Sequence, residues 1–381
     1  MRVRRICNTH FQRRRANCLR WLATGLLPVL AAWPGLPARA AAPLTVVSWG
    51  GAYTRSQILG FIRPYEKQHH VTVSVLDYGG GLEQIRAQVR SYNVKWDVVD
   101  LELADAIRGC REGLLVKIDP ARLAPAPDGS PTADDFIPGS LRPCAVGSVT
   151  WSTVIAYNPA AYGEHAPDRL KDFFDVKRFP GRRGMRNTPK ANLEWALMAD
   201  GVAPSGVYRV LGTEAGIERA FRVLDRIKPY IEWWDSGEQA VRMLETGRVA
   251  MTTVYNGRIY AASQRNEHFP IIWDHQIWNL DLWGIPRHTG RLKQAMDFIR
   301  FATSPSSLAA QARYIPYGPV RRSAMARVNA KMRPHLPTAD KRMDNALQIN
   351  AQWWADHYQT LQQRFEQWRR RPVMVPRALP R

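Results

Sequence analysis

Residues 44–102 read LTVVSWGGAYTRSQILGFIRPYEKQHHVTVSVLDYGGGLEQIRAQVRSYNVKWDVVDLE, and their punctuation decides the fold. Leu44–Trp49 is a short β-branched run closed by Gly50-Gly51. A helical pattern follows from about Thr54 to Tyr65. Val71–Tyr78 then alternates as a strand and ends at Gly79-Gly80-Gly81. Leu82–Tyr92 has helical spacing, with Leu82, Ile85 and Val89 on one face. Trp96–Leu101 reads as a third, buried strand and Ala104–Gly113 as another helix. Strand and helix periods alternating at this spacing imply a parallel, helix-covered sheet and an α/β fold.

The pattern continues outward. Ala124-Pro125-Ala126-Pro127-Asp128-Gly129-Ser130-Pro131 is a proline-rich surface loop. Val149–Tyr157 is a long extended run ending at Asn158-Pro159. A second αβ segment has strands at Arg182–Arg186, Val249–Tyr255, Pro270–Trp273 and Leu280–Pro286. Its helical patterns fall at Leu193–Ala199, Glu214–Lys228, Gln239–Thr246, Leu292–Ala302, Ser306–Ala312 and Asn345–Trp368. No repeat or heptad appears. Two αβ units joined by long extended segments predict two lobes with a cleft between them.

The chain has 381 residues, 45% hydrophobic and 23% charged, which leaves room for about two domains and excludes disordered and disulfide-dense classes. Residues 1–40 carry eight arginines and no acid, then an apolar stretch from Trp21 to Trp33 and the small-residue site Ala38-Arg39-Ala40. That is the pattern of a cleavable secretory signal, with the general route favoured over a twin-arginine one. Its removal takes 54 basic residues to 46 against 33 acids, a formal +13. No later segment is long and apolar enough to span a bilayer, so a soluble exported product is expected. The arginines from Arg369 to Arg381 read as a solvated terminus rather than a nucleic-acid site. Cys7 and Cys18 leave with the signal. Cys110 and Cys144 read as a disulfide in an oxidising compartment, with two buried free thiols as the alternative.

Several segments match a known family in order and spacing: SWGGAY (Ser48–Tyr53), WDVVDLE (Trp96–Glu102), CREGLLVKID (Cys110–Asp119) and WSTVIAYN (Trp151–Asn158). FFDVKRFPGRRG (Phe173–Gly184), VYNGR (Val254–Arg258), LDLWGIP (Leu280–Pro286) and NAQWWADHY (Asn350–Tyr358) continue the series. Together they resemble the type II periplasmic solute-binding proteins of ABC importers, nearest the spermidine/putrescine-binding branch. The resemblance covers roughly Leu44 to Arg370. It implies a two-lobe periplasmic-binding-protein fold with hinge strands and an interlobe ligand cleft. The first lobe would comprise 43–153 plus 280–320 and the second 158–276 plus 321–371, with 372–381 a basic tail. It also implies a periplasmic monomer that delivers a small organic amine to the permease and ATPase subunits of an inner-membrane transporter.

An amine is held by a carboxylate for charge, aromatic faces for cation–π attraction and acceptors for its N–H groups. The resemblance places Trp49 and Tyr53 in the first-lobe wall, Tyr255 with Asn256 on the second lobe, and Asp281 on a hinge-proximal strand. In the polyamine-binding branch the acid matching Asp281 contacts an amine. Asp281 lies between Leu280 and Leu282, where a lone acid is costly unless paired, so a structural pair with an arginine is the alternative. Glu102 and Trp278 are further cleft candidates. Trp49, Tyr53, Trp278 and Trp283 have core packing as the competing role, and Trp233-Trp234 and Trp353-Trp354 are expected to pack the lobes.

One departure bears on the ligand. Where the polyamine-binding branch carries an acidic cluster, this chain reads NTPKANLEW from Asn187 to Trp195. Lys190 and Asn192 stand in place of acids. A lysine or arginine (Lys190, Arg258) opposite Asp281 suits a molecule with both an amine and a carboxylate, so the ligand is expected to be polyamine-like or zwitterionic. No nucleophile elbow, HExxH, phosphate loop or CxxC appears, so no catalysis, cofactor or metal is expected. The alternatives are a ferric-iron or oxyanion carrier of the same fold, and an exported enzyme on a two-lobe scaffold.

Overall fold

The computed structural model describes residues 42–372. The expected signal segment, with Cys7, Cys18 and the Ala38-Arg39-Ala40 site, lies outside the described residues, as does the basic tail from residue 373 onward. The strands in chain order are β1 (Leu44–Ser48), β2 (Val73–Asp77), β3 (Val98–Glu102), β4 (Leu141–Arg142), β5 (Ala145–Tyr157) and β6 (Arg183–Arg186). They continue as β7 (Ile231–Trp234), β8 (Met251–Tyr255), β9 (Ile271–Gly284), β10 (Gly318–Pro319) and β11 (Leu347–Gln348). The main sheet runs β2-β1-β3-β9-β5-β8-β6-β7.

Each end of this sheet is parallel, as the strand–helix alternation predicts. β1 pairs in parallel with β2 and β3, and β6 with β7 and β8. Between the two ends run the long antiparallel strands β5 and β9, paired from Ala145–Gly284 to Ala156–Ile271 with two bulges. β3 joins the Asp281–Gly284 end of β9, whereas β8 joins the Thr153–Tyr157 half of β5. These two strands therefore carry the chain from one parallel unit to the other. All 13 residues of β5 are buried, which explains its unbroken apolar reading.

The sequence divided β9 into two strands, Pro270–Trp273 and Leu280–Pro286; the structure joins them. The misleading stretch is Asp274-His275-Gln276, polar in mid-strand and with His275 at φ 55°. Its polarity is satisfied by the 337–345 segment. Asn345 Nδ2 donates to Asp274 at 2.6 Å, and Gln276 Nε2 donates to the carbonyls of Pro337 and Arg342, each at 2.8 Å. Strand β7, whose IEWW carries Trp233-Trp234, was not foreseen as a strand. Trp234 is fully buried, and Trp233 packs edge-on against Phe365 at 5.3 Å. Trp354 is likewise buried, with Nε1 donating to Glu194 at 2.5 Å. These indoles pack rather than bind. Cys110 at the end of the helix Leu103–Arg111 is disulfide-bonded to Cys144, just before β5.

Candidate functional site

The carboxyl ends of the parallel strands converge on a single cavity of about 70 Å³. That is where open αβ sheets place their ligands, because loops and helix N-termini meet there. Its walls include Trp49 just after β1, Tyr53 on the helix Gly51–Gln57, and Glu102 at the end of β3. From the other parallel unit come Arg186 at the end of β6, Ser236 and Gly237 beyond β7, Tyr255 at the end of β8 and Arg258 in the helix Asn256–Ser263 that follows it. Asp281 of β9 and Trp151 of β5 form the floor, and Tyr78 and Tyr317 complete the aromatic rim.

The aromatic walls brace one another. Trp49 lies 4.9 Å from Tyr78, Tyr53 lies 5.4 Å from Tyr317, and Trp151 meets Tyr255 edge-on at 5.0 Å. Such a lining buries an alkyl chain and offers π faces to a cation. Two glycines make the approach of the walls geometrically feasible. A Cβ on Gly51, whose φ is +52°, would fall 1.7 Å from Glu238 Oε1. A Cβ on Gly237 would lie 3.0 Å from both the Tyr255 ring and Arg258 Nε.

Three buried acids behave differently although they are neighbours. Asp281 Oδ1 accepts from Trp151 Nε1 at 2.8 Å, and among the described residues no lysine or arginine pairs with it. Burial, then the charges of Asp100 and Glu102, push its carboxyl well above the usual range. Asp100 lies behind the wall, accepting from Tyr53 OH at 2.7 Å and Gln57 Nε2 at 2.5 Å, with Oδ1 unpartnered. Its pKa is pushed up to about 7, chiefly by burial. Glu102 is the opposite case. Burial pushes it up, but Lys190 and then Arg186 outweigh that and hold it down at about 2. Arg186 Nη1 is 3.0 Å from Glu102 Oε1, and Lys190 Nζ is in direct contact with Oε2.

Arg258 supplies a buried cation that is ion-paired with Glu238. It is 5% exposed, its Nη2 donates to the Trp49 carbonyl at 3.3 Å, and its Nη1 lies 2.6 Å from Glu238. Neither its Nε nor its Nη1 has a hydrogen bond of acceptable geometry. Beside it, Ser236 caps the helix Gly237–Glu245 by accepting from Gln239 N, so a positive helix end also faces the cavity.

Of the residues singled out from sequence, the cavity gathers Trp49, Tyr53, Glu102, Tyr255 and Asp281. It does not include Asn256 or Trp278. Asn256 is a strut: its Oδ1 accepts from Ser152 N at 3.1 Å and its Nδ2 donates to the Pro316 carbonyl at 2.8 Å. Trp278 stands opposite Ser152 and Gln348 in the sheet, half-buried against the core. Trp151, Arg186, Tyr78 and Tyr317 were not foreseen. Trp151 sits inside an apolar run, so only the adjacency of β5 to β9 reveals that its N–H meets Asp281. Among the described residues no group of three or more His, Cys, Asp or Glu side chains is arranged to hold a metal ion.

The fold and the walled cavity define a solute-binding protein. The bacterial extracellular solute-binding protein family matches residues 60–338, and the chain belongs to it. It is 38% identical over 325 residues to the gamma-aminobutyric acid-binding protein of Pseudomonas aeruginosa, covering 85% of this chain and 90% of the relative. The solved structure of the Atu4243-GABA receptor is 27% identical with a TM-score of 0.75, covering 87% of this chain and 99% of the other. An ABC transporter substrate-binding protein from Bradyrhizobium japonicum is 31% identical with a TM-score of 0.77, covering 86% and 99%. The chain is thus the solute-binding component of an ABC importer, and the helices of the described residues are all too short or too polar to cross a membrane.

Proposed function

We propose that the protein captures a small zwitterionic amino acid of the γ-aminobutyrate class in the periplasm and delivers it, as a monomer, to an inner-membrane permease and its ATPase. The observation supporting this reading is the presence of two oppositely charged groups in one cavity, Asp281 with no cation partner among the described residues and Arg258 with an unpartnered Nε. Asp281, bonded to the Trp151 N–H alone, would receive the ammonium, and Arg258, beside its ion pair with Glu238, would receive the carboxylate. A carboxylate seated on Arg258 would also meet the N-terminus of the helix Gly237–Glu245.

The buried charges support a net-neutral ligand. Glu102 pairs with Arg186 and Lys190 and Glu238 pairs with Arg258, which leaves Asp281 as the one wall acid without a cation among the described residues apart from Asp235, exposed at the rim. A polyamine would bring two or more positive charges with one unpaired acid to receive them. The small volume also favours a short ligand, since drug-sized molecules occupy about 300–1,000 Å³. The relatives named for γ-aminobutyrate point the same way.

Cleft closure would be a hinge motion about β5 and β9, between one lobe of residues 43–153 plus 280–320 and another of 158–276 plus 321–371. The test is a thermal-shift and calorimetric screen with γ-aminobutyrate, glutamate, putrescine, spermidine and ferric citrate. Stabilisation by γ-aminobutyrate above all others is expected. A response to polyamines or ferric citrate alone would refute the reading.

A further inference from the structure

Glu102 and Asp281 are direct partners in the antiparallel β3–β9 register, and both line the cavity. Side chains so paired begin about 4.5–5.5 Å apart at Cβ. Two carboxylates side by side in an aromatic cavity are what a diamine needs, one for each ammonium. In this chain one of the two is already occupied. Arg186 takes Glu102 Oε1 and Lys190 takes Oε2.

Lys190 reaches Glu102 from behind. It lines a second chamber of about 20 Å³, with Asn192, Trp195 and Thr253, whose walls share Glu102, Trp151 and Arg186 with the main cavity. Lys190 itself is not part of the main wall. It is 8% exposed, and its ammonium lies 5.6 Å from the centre of the Tyr358 ring. The other charges nearby are Asp105, itself paired with Arg108 at 3.2 Å, and Arg186. Burial alone would lower the pKa of this lysine, but Glu102 and then Asp105 raise it, so it stays charged.

We propose that Lys190 is a specificity determinant: its ammonium is a built-in counter-cation for Glu102, standing in for the second ammonium of a diamine, so the cavity accepts monoamines and rejects diamines. This rests on the reading of Asp281 as the ammonium acceptor. Removing the lysine leaves Glu102 Oε2 with only the long 3.5 Å contact from Asn279 Nδ2 and removes no wall of the main cavity. Restoring a cation by arginine keeps the position filled.

The experiment is calorimetric titration of wild type, Lys190→Met and Lys190→Arg with γ-aminobutyrate and with 1,4-diaminobutane, compounds of similar length that differ at one end. In Lys190→Met the ratio of diamine to γ-aminobutyrate affinity should rise by at least tenfold, whereas Lys190→Arg should keep the wild-type ratio. If circular dichroism shows Lys190→Met to be unfolded, Lys190→Gln replaces it with the same expectation. An unchanged ratio in the neutral variant, or an equal change in Lys190→Arg, overturns the proposal while wild type still binds γ-aminobutyrate. A wild-type protein that takes neither compound overturns the amine reading itself, and this inference with it.

Discussion

Glu102 and Asp281 face each other across two neighbouring strands, yet their electrostatic surroundings are opposite. Glu102 is held ionised by Arg186 and Lys190, whereas Asp281 is buried with a single neutral donor, Trp151 Nε1. A buried carboxylate with no cation is unfavourable unless it is protonated or finds a cation from outside. On the proposed reading, that asymmetry would make Asp281 the place for a ligand's ammonium and Glu102 part of the wall.

Asp281→Asn keeps an oxygen for the Trp151 N–H but removes the charge. The affinity for γ-aminobutyrate should fall at least about 100-fold, in line with the loss of a desolvated charge pair. Calorimetric titration measures it. An affinity within about threefold of wild type would make Asp281 structural.

Arg258→Gln tests the other end of the ligand. Loss of a charge-assisted contact of about 1.5–3 kcal/mol corresponds to a roughly 10- to 100-fold weaker affinity for γ-aminobutyrate. Butylamine, which lacks the carboxylate, should lose far less. Equal losses for both compounds in tryptophan-fluorescence titrations would place the carboxylate elsewhere.

The free protein should be more stable at pH 5.5 than at pH 8. Asp100 sits near 7 in the folded protein against an ordinary value of about 3.9 unfolded. Its stabilising proton is fully held below about pH 4 and lost as pH rises through 7. Burial raises Asp281 in the same direction. Glu102, held at about 2, works oppositely: its contribution is present above about pH 4.5 and is lost only as pH falls toward 2. A melting temperature higher by roughly 2 °C at pH 5.5 is expected, and Asp100→Asn should flatten the slope. A slope unaffected by that substitution would contradict the assignment.

Cys110→Ser with Cys144→Ser should cost ~2–4 kcal/mol in chemical denaturation, the value expected for a closed loop of this size. The bond lies away from the cavity walls, so the affinity for γ-aminobutyrate should stay within about twofold. A large affinity loss would tie the disulfide to the site.

Local chemistry made the framework legible. β-Branched runs ended by glycines announced β1 and β2, the apolar run Trp96–Leu101 announced β3, and the helix Leu292–Ala302 was readable to the residue. Trp49 and Asp281 could be named because the family resemblance rests on the short local motifs that contain them, SWGGAY and LDLWGIP. The rest depends on distant segments meeting. Arg186 becomes a wall residue only because β6 lies beside β8, and Glu102 is neutralised only because Lys190, 88 positions away, reaches it. The continuity of β9 was hidden because Asp274 and Gln276 find partners in the segment 337–345. Asn256 looked like a cleft residue by position, but its amide is consumed by backbone groups of two other segments.

The most direct test is a calorimetric titration of the wild-type protein with γ-aminobutyrate, followed by recovery and analysis of the compound. The account predicts one molecule bound per chain, returned chemically unchanged, with 1,4-diaminobutane binding at least about tenfold more weakly. No heat with γ-aminobutyrate alongside tight diamine binding, or recovery of an altered compound, would contradict it.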